Sequence, residues 1–384
     1  MDLKRSLALS LTATSSRSGN MKLRYRVIRR IDELCTLAEQ WDALLQKSEA
    51  DSIFMTYDWI NTWISVSGPS LSIYTIVVYN EEELVGIAPF YQDTLALFGL
   101  LSFNCLRIQG DKNSSSEYQD LILHPACPSA IIEKIAEAIS QITEDTSFFW
   151  VPYTSTKSGA SGRFQELFER LNIETQQREF EYFKISLPAS KTEFDAKLTS
   201  KQRNNIRRYK KILAKKDRIR AIDLIDRGSA DDAVETLRIL HNMNWHSRGK
   251  QGVFERKPVF HDFIAAYSTL AREKHQLMAI CLLLNERPIA IRFGYLYNNV
   301  FFEMQAGYDP EHNGSGICAI DFAIKFSINR QINTYDFLAY AGEYKRRFNA
   351  QAQPGRSFFA SSRRLLPRLI NLLGIWPTGK YISI

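Results

Sequence analysis

Residues 278–345 constrain the fold of this 384-residue chain more than any other stretch. Met278–Leu284, Ile289–Tyr297 and Val300–Gly307 are apolar runs of strand length. The polar turns Asn285-Glu286-Arg287-Pro288 and Asn298-Asn299 join them. Next comes Tyr308-Asp309-Pro310-Glu311-His312-Asn313-Gly314-Ser315-Gly316. Ile320, Ala323, Ile324 and Ile328 then repeat at helical spacing up to about Asn329. Thr334-Tyr335-Asp336-Phe337-Leu338 reads as one more strand. A helix that opens on Gly-Ser-Gly leaves its first N–H groups uncovered at the positive end of its dipole, and glycine lets an anion approach the main chain. The pattern predicts an anion site at Gly314, Ser315, Gly316 and Ile317, suited to a pyrophosphate. A glycine turn before a helix is often only a connection, so the weight rests on the order strand meander, glycine turn, helix, strand.

The chain is too long for one ordinary domain and suits two. Residues 23–29 alternate like a strand. Residues 31–47 and 56–66 have helical spacing, with Thr56 and Asp58 as caps for the second helix. Strands are expected at 73–79, 84–91, 103–108, 119–123 and 147–151, and a helix at 129–143. Residues 152–162, rich in Ser, Thr and Gly, read as a loop. Helices at 190–216, 230–247 and 258–274 open the second half. The hairpin around Asn80-Glu81-Glu82-Glu83 resembles the one around Asn285-Glu286, and each follows a helical region. This similarity predicts two copies of one mixed α/β module. The expected organisation is a disordered leader at 1–22, modules at 23–180 and 181–355, and a basic amphipathic tail at 356–384.

Composition removes several classes. The five cysteines, Cys35, Cys105, Cys127, Cys281 and Cys318, are scattered and form no CxxC pair. They argue against a disulfide framework and a metal site, and they fit a reducing cytoplasm. No apolar run approaches the roughly 20 residues that span a bilayer. Lys4 and Arg5 before Ser6-Leu7-Ala8-Leu9-Ser10-Leu11 imitate a signal peptide, but the apolar part is short and diluted; Met21 is an alternative start. Residues 201–220 hold ten Lys/Arg and one Asp, against a net charge of +7 for the whole chain. One basic segment thus supplies the excess, which argues against a general nucleic-acid binder. The tail mixes Arg364 and Arg368 with Leu365, Leu366, Leu369, Ile370, Leu372, Leu373 and Trp376. It suits either peripheral contact with a membrane surface or packing on the second module.

Several motifs together resemble the CelD-type, FemAB-like branch of the GNAT superfamily. They are Asp58-Trp59 with Trp63, Leu84-Val85-Gly86-Ile87-Ala88-Pro89-Phe90, Ser200-Lys201-Gln202-Arg203-Asn204-Asn205-Ile206-Arg207-Arg208, Trp245 with Arg248-Gly249, and Phe337-Leu338 followed by Gly342-Glu343-Tyr344-Lys345. The resemblance covers about residues 25–350. It implies an α/β (mixed α+β) fold of two tandem GNAT-like domains, each a mixed, mostly antiparallel sheet flanked by helices. It implies acetyl-CoA or another acyl-CoA as donor, and amide or ester formation on an exopolysaccharide, envelope or related acceptor, glycan or small molecule. The alternatives are an aminoacyl-tRNA-dependent Fem-like transferase and a non-catalytic GNAT pair serving polysaccharide biosynthesis. A cytoplasmic place, at most peripheral to the inner membrane, goes with these readings.

Acyl transfer from a thioester needs a proton acceptor for the nucleophile, oxyanion stabilisation and a proton for the leaving thiolate. Glu303, flanked by apolar Phe302 and Met304 in a strand, is the candidate base; a Glu on a solvated strand face is the bland alternative. The resemblance places Lys345 near the reacting carbonyl, for oxyanion stabilisation, and gives Tyr344 the thiolate's proton; a solvated cation beside Arg346 and Arg347 is the alternative. Catalysis by Lys345 predicts that Lys345→Ala lowers turnover and leaves the melting temperature unchanged. Arg203 and Arg207, through the resemblance, and Trp245, Arg248 and Asp120 are the candidate acceptor contacts. The other charges on 201–216 read as a solvated helix face.

Overall fold

The computed structural model of the chain describes residues 22–97, 101–142, 146–339, 342–362, 365–376 and 382–383. The leader expected at 1–22 lies almost wholly outside the described residues. The N-terminal half runs β1 (Leu23–Ile28), α1 (Ile31–Cys35), α2 (Ala38–Leu45), α3 (Tyr57–Ser67), β2 (Ser72–Asn80), β3 (Glu83–Leu97), β4 (Leu101–Ile108), β5 (Ile122–Leu123), α4 (Pro128–Ile142), β6 (Thr146–Ser155), α5 (Ala160–Arg170) and β7 (Glu174–Ser186). The C-terminal half runs α6 (Lys191–Lys197), α7 (Ser200–Lys216), β8 (Ile219–Asp223), α8 (Ala230–His246), α9 (Val253–Arg256), α10 (Pro258–Glu273), β9 (Leu277–Leu284), β10 (Arg287–Tyr297), β11 (Val300–Tyr308), α11 (Ser315–Asn329), β12 (Thr334–Ala339), α12 (Glu343–Arg346) and β13 (Gln351–Ser361). A last helix, α13 (Leu365–Leu372), and a short strand, β14 (Ile382–Ser383), follow.

Local chemistry explains most of these elements. The turns after β9 and β10 place Asn285 and Glu286 (φ 49° and 64°) and Asn298 and Asn299 (φ 45° and 59°) in the left-handed region. Two consecutive positive φ values match the right-handed twist of a two-residue hairpin. Thr199 starts α7 with a reciprocal capping box, in which its Oγ1 accepts from Gln202 N (3.2 Å) and Gln202 Oε1 accepts from Thr199 N (2.6 Å). That cap breaks the single helix expected at 190–216 into α6 and α7. Thr56 caps α3 by accepting from Trp59 N, as its position before the apolar stripe predicts.

One sheet runs through both halves, in the order β1-β2-β3-β4-β6-β13-β7-β12-β11-β10-β9-β8, with β5 and β14 attached to β3. The repeat expected from the two hairpins is visible in this order. Antiparallel β1-β2-β3-β4 ends on parallel β6, and antiparallel β8-β9-β10-β11 ends on parallel β12. The last strands cross over: β7 pairs with β12, and β13 inserts between β6 and β7. The limits expected at 180 and 355 therefore fall inside β7 and β13. α5, β7 and β13 carry too many polar residues to stand out by periodicity alone.

The halves also share a core. Trp59 of α3 meets Phe263 and Tyr267 of α10 and Tyr295 of β10 at ring distances of 4.8, 4.6 and 5.8 Å. Among the described residues no helix is long and apolar enough to cross a membrane. In the tail, Ile370 and Trp376 are buried against Trp150 and Phe359, while Leu369, Leu372 and Leu373 face solvent. That packing is mainly on strands of the N-terminal half and on the strand that crosses over to it.

Candidate active site

The cleft begins where two parallel strands separate. β11 and β12 pair only at Val300–Thr334, Phe301–Tyr335 and Phe302–Asp336. Past that point Leu338 adopts φ +62°, and its N–H donates to Asp336 Oδ1 at 2.8 Å. A leucine held there costs on the order of 1–3 kcal/mol. The buried ammonium of Lys345 holds it, donating to the carbonyls of Phe337, Leu338 and Ala339 at 2.9, 3.2 and 2.9 Å. On the other strand, the β10–β11 register slips at Gly294, opposite Glu303. A Cβ on Gly294 would lie 1.9 Å from the Phe302 carbonyl oxygen, so only glycine permits this bulge.

Glu303 is the first residue beyond the separation and is 7% exposed. Its expected apolar setting is replaced by polar partners. Arg292 Nη1 donates to Glu303 Oε1 at 3.1 Å, and the Tyr335 hydroxyl donates to Glu303 Oε2. Arg292 Nη2 donates in turn to the Gly316 carbonyl at 2.9 Å, which ties the cleft floor to the first turn of α11. Sequence reasoning missed Arg292 and Tyr335. The available signal was a lone arginine in the apolar run Pro288-Ile289-Ala290-Ile291-Arg292-Phe293.

A cavity of about 730 Å³ opens above this floor. Gly314, Gly316 and Ile317 line one end, and Glu303, Phe337 and Tyr344 line another. Gly314 is the N-cap of α11 at φ +86°, and the Tyr209 ring lies where its Cβ would be, 2.1 Å away at closest. The glycine therefore serves packing as well as any ligand. Ser315 is fully buried behind the turn, with no partner for its Oγ among the described residues, so only its main chain can serve the cavity. Among the described residues three buried polar atoms in the lining also lack partners, Arg292 Nε, Asn244 Oδ1 and His312 Nδ1. A polar ligand would satisfy them. Burial pushes the Tyr344 hydroxyl up to about 12, Glu303 adds to this, and the Arg292 guanidinium opposes it. Tyr344 thus keeps its proton at neutral pH. His241 is spent on structure: its Nδ1–H donates to the Ala306 carbonyl (3.1 Å) and its Nε2 accepts from Val253 N (3.3 Å), and burial pushes its pKa down.

The remaining expected residues divide clearly. Trp245 and Arg248 line the cavity, and Arg248 donates to the Tyr308 hydroxyl at 2.9 Å. They lie in the cavity beside Gly314 and Gly316 rather than in a groove between the halves. Lys345 does not line the cavity; its ammonium supports β12 from behind. Arg203 donates to the Asp195 and Leu198 carbonyls, closing the end of α6, and Arg207 is exposed outside the cavity lining. Asp120 is buried in an ion pair with Arg163, whose Nε donates to it at 2.9 Å, and Leu121 N donates to it as well. Among the described residues no His, Cys, Asp and Glu cluster fits a metal ion.

A second cavity, of about 310 Å³, backs onto the first and shares Glu303, Met304, Gln305 and Phe337 with it. Its other wall belongs to the N-terminal half: Asp111, Asn113, Ser115, Glu117 and Tyr153. The tryptophans singled out in the sequence place this wall. Trp59 Nε1 donates to Ser116 Oγ at 2.6 Å and Trp63 Nε1 to the Lys112 carbonyl at 2.5 Å. Glu117 accepts from Ala339 N at 2.7 Å, and burial pushes its carboxyl up to about 8.

Residues 200–346 match the family model of the acetyltransferase (GNAT) domain, and the fold of the whole chain resembles that of known structures. The crystal structure of FemX matches 91% of this chain over 99% of its own, with a TM-score of 0.60 at 10% identity. The C-terminal domain of a protein described as a lysylphosphatidylglycerol synthetase from Agrobacterium fabrum matches 89% of the chain over 96% of its own, with a TM-score of 0.51 at 8% identity. L-PGS from Bacillus licheniformis matches 87% over 95%, with a TM-score of 0.50 at 10% identity. At these identities the likeness is one of fold. A sequence comparison with curated proteins finds no match.

Proposed function

We propose that the protein transfers an acyl group from an acyl-CoA, acetyl-CoA in the simplest case, directly to a nucleophilic nitrogen or oxygen, with no covalent enzyme intermediate. The supporting observation is the opening of β11 from β12 at Glu303, beside the first turn of α11. The pyrophosphate rests on the N–H groups of Gly316 and Ile317, and Arg248 and Trp245 flank the donor. Glu303 removes a proton from the attacking group, Arg292 and Tyr335 fix its position, and Tyr344 protonates the leaving thiolate. The envelope or polysaccharide setting follows from the resemblance, with either a glycan or a small precursor as acceptor.

Calorimetry with acetyl-CoA tests the donor. One site per chain is expected in the wild type, with a large loss in Gly316→Trp; no heat with acetyl-, succinyl- or palmitoyl-CoA would overturn it.

One observation favours an aminoacyl-tRNA donor instead. A groove of about 760 Å³ carries Lys201, Arg208 and Arg347 and shares Ile317 and Tyr344 with the donor cavity. Salt-sensitive binding of tRNA, with no binding of acyl-CoA, would select that reading.

A further inference from the structure

The smaller cavity has the chemistry of an acceptor subsite. It shares the Glu303–Gln305 segment and Phe337 with the donor cavity, so a molecule in it lies against the same strand as the reacting carbonyl. Its volume of about 310 Å³ equals about ten water volumes of 30 Å³. That suits a small molecule or the end group of a larger one, and not a folded glycan chain.

Its charges are of both signs. Lys257 lines the cavity from its solvent-exposed side, and among the described residues its ammonium forms no ion pair. The nearby carboxylate of Asp111 is taken: Arg107 Nε donates to it at 2.8 Å and the Tyr91 hydroxyl at 2.7 Å. Burial lowers the pKa of Lys257, and Arg256, Arg107 and Lys112 add to this by repulsion. The Asp111 carboxylate opposes this shift, but it is already bonded to Arg107 and Tyr91, so an ammonium without an ion-pair partner is a place for an anion. Glu117 lines the same cavity, fixed by its bond from Ala339 N and by Trp59 through the Ser116 hydroxyl.

We propose that this cavity binds a small primary amine that also carries an acidic group, with the acidic group on Lys257 and the amine on Glu117. The inference rests on the acyl-transfer reading above and names its acceptor class. The amine arrives as an ammonium, which cannot attack. Its N–H⁺ proton passes to the Glu117 carboxylate, leaving R–NH₂. The nitrogen lone pair attacks the thioester carbonyl and forms the C–N bond. Glu303 takes the second proton from nitrogen as the C–S bond breaks. The thiolate receives the Tyr344 proton, the Tyr344 oxygen recovers one from Glu303, and Glu117 releases its proton to solvent. Amine, thioester and enzyme groups balance as one amide, one thiol and one proton. With its carboxyl raised to about 8, Glu117 accepts the amine's proton in its ionised form, so the step gains as pH rises toward 8.

Calorimetry of the full chain without donor separates this inference from the donor reading. The probes are L-glutamate and β-alanine (carboxylates), phosphoethanolamine (phosphate), and glucosamine and cadaverine (no acidic group). Binding of at least one acidic amine is expected, weakened tenfold or more by Lys257→Met, and the better acidic group tells carboxylate from phosphate. Thiol release from acetyl-CoA with the bound amine should show KM raised tenfold or more in Lys257→Met at similar kcat. It should show kcat/KM lowered at least tenfold in Glu117→Gln, with the rise toward pH 8 lost. Binding that persists without any acyl-CoA turnover supports the acceptor site and counts against the donor. No acidic amine bound, equal binding by Lys257→Met, or preference for glucosamine or cadaverine overturns the inference.

Discussion

At the scale of single residues, the chemistry depends on which groups are already engaged. Tyr344 has its hydroxyl at about 12 and lies beside Glu303 and Arg292, so it keeps its proton through the physiological range. Tyr344→Phe should lower kcat by about 10²–10⁴-fold, the usual contribution of a positioned acid. Acetyl-CoA affinity should stay within about twofold by calorimetry. Arg292 is the group that no motif revealed. It bonds Glu303 on one side and the Gly316 carbonyl on the other, at 7% exposure. Arg292→Met leaves a buried carboxylate without its cation, which costs about 3–5 kcal/mol. Urea unfolding should show that loss, and Arg292→Lys should restore little of it, because one ammonium does not reproduce a fork with two directions. Glu303 could be singled out in the sequence as a carboxylate between Phe302 and Met304 in a strand. Its partners could not, because a strand pattern gives the face a residue is on and not what crosses the sheet to meet it.

Among elements, the end of β12 determines the cleft. Its separation from β11 relies on Leu338 at positive φ, on Lys345 below three carbonyls, and on Glu117 accepting from Ala339 N. The sequence placed Gly342-Glu343-Tyr344-Lys345 correctly after the last strand of the motif, but two neighbours in one short helix point opposite ways: Tyr344 toward the cavity and Lys345 beneath the strand. A four-residue helix leaves too little periodicity to assign its faces. The melting behaviour expected for Lys345 therefore reverses. Lys345→Met should lower stability by about 2–4 kcal/mol, since several buried carbonyls lose their donor, and thermal unfolding should register it together with lost turnover. Glu117 gives the same element a pH dependence. Its carboxyl is raised from 4.5 to about 8, so between those values the folded state holds a proton that the unfolded state has released. Stability should fall as pH rises from about 4.5 to 8 and level off above. Denaturant titrations at pH 5, 6.5 and 8 should show the slope, and Glu117→Gln should flatten it.

For the whole molecule, duplication explains both what was readable and what was not. The two hairpins were visible as a repeat because each copy keeps an apolar strand pair around an Asn-Glu turn. The two halves differ beside their parallel strands. α4, the counterpart of α11, begins Pro128-Ser129-Ala130, without a glycine turn, and its half supplies the wall at 111–117 instead. The exchange of final strands was hidden because β7 reads Glu174-Thr175-Gln176-Gln177-Arg178-Glu179-Phe180-Glu181, polar for most of its length, and its partners are distant in sequence. That exchange makes the halves mutually dependent. β13 pairs with β7 over eleven positions, from Gln351–Lys184 to Ser361–Glu174, and with β6 on its other side. A chain ending at residue 350 would expose the facing edges of β6 and β7, with Phe148, Phe149 and Trp150 beside them, and such edges template aggregation. The fragment 22–180, cut where the sequence suggested a boundary, would lose β13 and the second half of β7. Both fragments should be insoluble or aggregated by size-exclusion chromatography, whereas the full chain should unfold in one calorimetric transition. Separate transitions for the two halves, or a soluble, cooperatively folding 22–180 fragment, would mean that the strand exchange is not what joins them.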